Sequence, residues 1–152
     1  MNRYLDTSVL VAYYLPEPLS ERAERVLLDG GTPSISPLVD LEFASVLARK
    51  VRARELAPAA ARAALEQFRA HQDEGLYRRL EIGAAHYEQA RRWVEAFRLP
   101  LRTLDALHLS VAAGANAALL TADVQLARAA RALRLPCRLL RASTRATAAT
   151  RR

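Results

Sequence analysis

Short apolar runs alternate with longer amphipathic stretches along this chain, and that alternation predicts an α/β fold. Arg3-Tyr4-Leu5-Asp6 reads as a first strand, and Thr7-Ser8 lead into a short apolar helix over Val9 to Leu15. A second helix is predicted from about Pro18 to Asp29, stopped by Gly30-Gly31, with a strand near Pro33 to Ser36. Ser36 as N-cap and Pro37 at the first helical position open a helix to about Arg54. The next runs from about Pro58 to Glu74 and ends at Gly75. Leu80-Glu81-Ile82 reads as a short strand. Ala84 to Phe97 reads as a helix whose Trp93 and Phe97, four apart, belong to the core rather than to a base-stacking platform. Thr103 caps a further helix, Ala117 to Leu120 is a buried strand, and Pro136 to Leu140 is the last strand. The predicted architecture is a three-layer sandwich, with a mainly parallel central sheet flanked by helices.

On this pattern four acids stand out. Asp6 closes the first strand, Glu42 lies beside the inward stripe of its helix near Leu38, Leu41 and Ser45, Asp105 falls in a first helical turn, and Asp123 follows a buried strand. Sites in open parallel sheets form outside the carboxyl ends of the strands, and all four acids can reach that edge. An acid beside a core-forming run costs several kcal/mol unless it is paired, and a divalent cation keeps clustered carboxylates ionised. An all-oxygen donor set selects Mg²⁺, with Mn²⁺ as a substitute. Each acid also has a plainer reading. Asp105 and Asp123 meet the helix dipole favourably wherever they stand, Asp6 can start a loop, and Glu42 can be an exposed helix residue.

Composition narrows the function class. The chain has 152 residues, one domain's worth, with 51% hydrophobic and 26% charged residues. No apolar run approaches membrane-spanning length, and the first strand begins at once, so a cytoplasmic protein without membrane association is expected. Cys137 is the single cysteine, which excludes an internal disulfide and reads as a packed side chain. The net charge is +7, and setting aside the four acids leaves 23 basic against 12 acidic residues, a balance of +11. Such a field attracts polyanions. Arg49, Lys50, Arg52, Arg54, Arg62 and Arg69 crowd one helical pair, either as a face toward RNA or a partner or as a solvated surface. Beyond Leu140 the periodicity stops, so residues 1–141 are expected to form the domain and 142–152 a disordered basic tail.

Taken together, Tyr4-Leu5-Asp6-Thr7-Ser8-Val9-Leu10, Glu42 behind Ser36-Pro37, Asp105-Ala106-Leu107-His108-Leu109 and Leu120-Thr121-Ala122-Asp123 resemble the acidic signature of PIN-domain ribonucleases. In length and layout the chain is most similar to the VapC-type toxins of bacterial toxin–antitoxin pairs, over roughly residues 1 to 140. The resemblance implies that Asp6, Glu42, Asp105 and Asp123 bind one or two Mg²⁺ or Mn²⁺ ions and carry catalysis. Thr7, Ser8 and Thr121 would support them by orienting water and carboxylates. Some members carry a further acid or Asn two positions beyond the last one. Gln125 stands there in this chain, which leaves the second ion open.

The implied activity is metal-dependent endoribonuclease cleavage of RNA phosphodiester bonds, leaving a 5′-phosphate and a 3′-hydroxyl, by the toxin of a type II toxin–antitoxin system. A cognate antitoxin and a homodimer would be its protein partners. Two alternatives stay open: a noncatalytic PIN-like module that binds RNA or protein, and a DNA-directed nuclease, since nothing in the sequence reads a 2′-hydroxyl. A phosphoacceptor receiver domain would need a lysine after a late strand, whereas the lone Lys50 lies on an early helix. The five scattered glycines form no phosphate-cradling loop. His108 shares a helix face with Asp105 and reads either as a satisfied interior histidine or as a partner of an acid or phosphate. His71 and His86 read as helix-boundary residues, and Arg102 is placed to reach a phosphate.

Overall fold

A computed structural model describes residues 2–141. The elements in chain order are β1 (Asn2–Leu5), α1 (Thr7–Tyr14), α2 (Ser20–Leu28), β2 (Ser34–Ile35), α3 (Pro37–Arg52) and α4 (Pro58–Asp73). They continue as β3 (Arg78–Arg79), α5 (Ala84–Glu95), α6 (Thr103–Gly114), β4 (Ala117–Thr121), α7 (Val124–Ala132) and β5 (Cys137–Leu139). The five strands form one sheet in the order β3-β2-β1-β4-β5, with every pairing parallel. This is the expected sandwich, and the sheet is parallel throughout. The expected tail over 142–152 lies outside the described residues.

From β1 the chain first adds β2 and β3 on one side, then crosses over to add β4 and β5 on the other. The strand order therefore reverses between β1 and β4, and a crevice opens there at the carboxyl ends. The register aligns the two ends, because Leu5 pairs with Leu120 and so places Asp6 beside Thr121. Tyr4, Leu5, Val9, Leu10, Ile35, Val39, Phe43, Leu47, Leu109, Leu119 and Leu120 are almost wholly buried around this sheet. Each such side chain contributes about 1.5–3 kcal/mol over its exposed state. Helix α6 is buried without a break from Ala106 to Ala112, as expected of a helix that is apolar on every side.

Several sequence expectations are corrected. The third strand lies at Arg78–Arg79 rather than at Leu80 to Ile82, because Arg78 and Leu80 donate their amides to Pro33 and Ile35 and pair this earlier segment with β2. Phe97 is not core: α5 ends at Glu95, and Phe97 takes a left-handed φ of 51° that turns its ring out to 91% exposure. Trp93 packs against the core as expected. Leu41 is 71% exposed, so the inward stripe of α3 runs through Leu38, Val39, Phe43 and Leu47 instead. Thr103 begins α6 rather than capping it; Arg102 holds the cap position, without a side-chain bond.

Candidate functional site

Each end of the crevice is built by a helix cap. Asp6 is the N-cap of α1: its Oδ1 accepts from the Ser8 amide at 2.7 Å and the Val9 amide at 3.4 Å. The hydroxyls of Ser8 and Thr121 also donate to it, the first to Oδ1 and the second to Oδ2. Asp123 caps α7 in the same way, accepting from the Gln125 and Leu126 amides at 2.7 and 3.1 Å. The Ser8 hydroxyl ties the two ends together by accepting the Ala122 amide at 2.7 Å. Capping alone satisfies Asp123 through Oδ1. Asp6 is different, because at 4% exposure it is a buried carboxylate ringed by four donors.

Glu42 reaches the same crevice from α3. Its Oε2 accepts from the Thr7 hydroxyl and from His108 Nε2, the latter at 2.6 Å. His108 is 3% exposed, and its Nδ1 lies 2.9 Å from the Tyr4 hydroxyl, which in turn lies 2.7 Å from Ser36 Oγ. Ser36 holds the N-cap position of α3 as expected, yet it makes no capping bond and directs its hydroxyl to Tyr4 instead. Asp105 enters from the first turn of α6.

One cavity of about 590 Å³ is lined by Asp6, Glu42, Asp105 and Asp123 together, with Thr7, Ser8, Arg49, Arg102 and His108. The four acids, 117 positions apart at the extremes, thus face a single space. Electrostatics separates them. Burial pushes the Asp6 carboxyl up, opposed by the charge of His108 and the Ser8 and Thr121 hydrogen bonds. Burial also raises Asp105, helped by the charges of Asp123 and Glu42 and opposed by His108 and Arg102. Burial alone would raise Glu42 as well, but the hydrogen bond and charge of His108 and the Thr7 hydroxyl outweigh it and hold this carboxyl below its ordinary value.

The donors suit a hard cation. All four are carboxylates, Asp105 is raised by burial and further by the like charges of Asp123 and Glu42, and a divalent ion relieves that repulsion. Among the described residues, no three His, Cys, Asp or Glu side chains stand at the spacing needed to hold one ion directly. That is compatible with Mg²⁺, which keeps several waters and takes one or two carboxylates.

Sequence reasoning missed the parts that Tyr4 and Ser36 play behind Glu42, and it read Arg49 as part of the basic helical pair without placing it in this cavity. The available signal was a hydroxyl-bearing side chain at an interior strand position, two residues before the first acid. On the basic pair α3 and α4, Arg49, Arg52, Arg62 and Arg69 are exposed, as is Arg54 in the turn between the helices, while Lys50 is bound to Glu17 at 3.1 Å and Glu55 at 3.8 Å. Cys137 is half-buried, and burial raises its thiol pKa. Among the described residues, no helix is long and apolar enough to cross a membrane.

Comparison with known proteins agrees with this architecture. The family model described as PIN domain matches residues 3–132. No curated protein matches the chain. Among solved structures, VapBC2 from Rickettsia felis, bound to a DNA fragment from its promoter, is similar with a TM-score of 0.66 and 19% identity, covering 91% of this chain and 98% of that one. VapC20 of Mycobacterium tuberculosis, described as a sarcin-ricin loop cleaving toxin, gives 0.65 and 20%, covering 84% and 95%. FitAcB from Neisseria gonorrhoeae gives 0.65 and 20%, covering 88% and 94%. At these identities the likeness is one of fold.

Proposed function

This chain belongs to the PIN-domain family, and from that premise we propose that it is a metal-dependent endoribonuclease, the toxin of a type II toxin–antitoxin pair. The observation that carries the reading is the gathering of Asp6, Glu42, Asp105 and Asp123 around one cavity at the strand-order reversal. Residues 1–141 would form the nuclease domain. The four acids would hold Mg²⁺ or Mn²⁺, in part through water. The ion when bound supplies acidification of the attacking water and neutralisation of charge on the phosphoryl oxygens. Arg49 and Arg102 line the same cavity and offer cations to the phosphates beside the bond that breaks. Whichever of the four carboxylates touches the attacking water would also accept its proton. Ser8 and Thr121 fix Asp6, and Thr7 fixes Glu42.

RNA as substrate is supported by the positive charge of the chain and by its likeness to VapC20, a toxin that cleaves the sarcin-ricin loop. An antitoxin partner is supported by the VapBC2 complex, and a homodimer and a cytoplasmic setting accord with this reading. The test is incubation of the purified chain with RNA in Mg²⁺ or Mn²⁺, against EDTA and against Asp6→Asn. Cation-dependent cleavage abolished in the variant is expected. Equal cleavage by the variant would refute the site. One observation favours a second reading, a noncatalytic binding module: the described acids do not converge to direct ligand spacing. RNA binding without cleavage at any Mn²⁺ concentration would select it.

A further inference from the structure

Five side chains from separate parts of the fold form one hydrogen-bonded line that ends at the cavity. It runs from Ser36 Oγ through Tyr4 Oη to His108 Nδ1 and, from the far side of the imidazole, through Nε2 to Glu42 Oε2, which Thr7 also reaches. Ser36 is 0% exposed, Tyr4 0% and His108 3%. We infer that His108, held by Tyr4 and Ser36, is a positioning residue that fixes the Glu42 carboxylate so that Oε1 is presented to the cavity. The inference rests on reading the cavity as a cation site.

The directions of the bonds follow from the groups. A carboxylate only accepts, so Nε2–H donates to Glu42. That bond is the same whether the imidazole is neutral, with Nδ1 accepting the Tyr4 hydroxyl, or charged, with Nδ1–H donating to it, and Tyr4 Oη shares its other bond with Ser36 Oγ in both cases. Both hydrogen bonds on Glu42 land on Oε2, which leaves Oε1 as its remaining oxygen. Ser36 supplies a second, independent sign. At an N-cap its hydroxyl would ordinarily satisfy an amide of α3, and here it serves Tyr4 instead. Without the line, a glutamate on a helix has three rotatable bonds, and only Thr7 would hold it.

The test is Mn²⁺ binding followed by electron paramagnetic resonance, with thermal melting of each variant measured alongside. His108→Leu removes the donor, whereas His108→Gln replaces the imidazole by an amide that keeps a donor near Nε2. Tyr4→Phe cuts the line one residue earlier and keeps the ring. His108→Leu is expected to weaken Mn²⁺ binding by about 10–100-fold, His108→Gln to recover most of it, and Tyr4→Phe to fall between. Parental affinity in folded His108→Leu overturns the inference, as does equal weakening in the Leu and Gln variants. Should His108→Leu fail to fold, Tyr4→Phe decides: folded with parental affinity it overturns the inference, and weakened binding supports it. A parent chain that binds no Mn²⁺ overturns the metal reading and this role with it. A parent that binds while the variants bind equally well overturns this role alone.

Discussion

Two tyrosine–histidine networks run through this molecule, and they differ in where they end. In one, the Tyr14 hydroxyl meets His71 Nδ1 and the Tyr77 hydroxyl, each at 2.8 Å, amid Phe43 and Phe68. It runs from half-buried His71 into the aromatic core and reaches none of the four acids. In the other, Tyr4 and His108 lead to Glu42 and so to the cavity. The chemistry of the links is the same, so the terminus alone separates a network that only stabilises from one that also orients. The acids at the cavity show a related division. Asp6 and Glu42 are held by hydroxyl, amide and imidazole donors, while Asp105 is raised by burial first and then by the like charges of Asp123 and Glu42.

The largest contrast is expected at the held acids. Asp6→Asn should lower RNA cleavage by roughly 10³-fold, about 4 kcal/mol of lost transition-state stabilisation, measured as single-turnover rates in Mn²⁺. An effect below tenfold would remove Asp6 from the reaction. In the first network, Tyr14→Phe should cost about 1–2 kcal/mol of stability, since Tyr77 and His71 lose their partner. Its Mn²⁺ affinity and cleavage by the folded fraction should stay parental. Urea unfolding checks the first part, and a loss of Mn²⁺ affinity would erase the distinction between the two networks.

The smallest effect concerns pH. Asp105 is raised in the folded chain, so without metal its ionisation opposes folding: stability is lost as pH climbs from the ordinary carboxylate value through the folded one. Glu42 is lowered and works the other way, adding stability above its ordinary value that is lost as pH falls through its folded value. In EDTA at about pH 7, Asp105→Asn should therefore stabilise the chain by up to about 1 kcal/mol after allowance for solvent screening. The gain should vanish near pH 4, as the carboxyl becomes protonated. Melting curves of both proteins at the two pH values check the sign. A destabilised Asp105→Asn at about pH 7 would show that the carboxylate has a partner in the folded chain.

Four of the five strands and most helices were legible in the sequence because their signals are local. The apolar run Ala117 to Leu120, the Pro37 and Pro58 starts and the Gly75 stop each act within a turn or two. Arg78–Arg79 was not legible, because two charged residues carry no strand pattern and pair only through the amides that reach β2. Phe97 was misread because helical spacing assumes that the helix continues, whereas this one ends two residues earlier. The four acids could be picked out by their positions at strand ends and helix starts, and the cavity does gather them. The line behind Glu42 was illegible, since Tyr4, Ser36 and His108 are 104 positions apart at the extremes and meet only through the parallel packing of β1, β2 and α6.

The claim on which the rest depends is that these carboxylates share a divalent cation. Mn²⁺ titration of the parent chain and of Asp105→Asn, with free ion read by electron paramagnetic resonance, tests it without reference to activity. The account predicts that the parent takes up Mn²⁺ and that the variant loses most of that affinity. A parent that leaves all the Mn²⁺ free, or a variant that binds it as tightly as the parent, would contradict it.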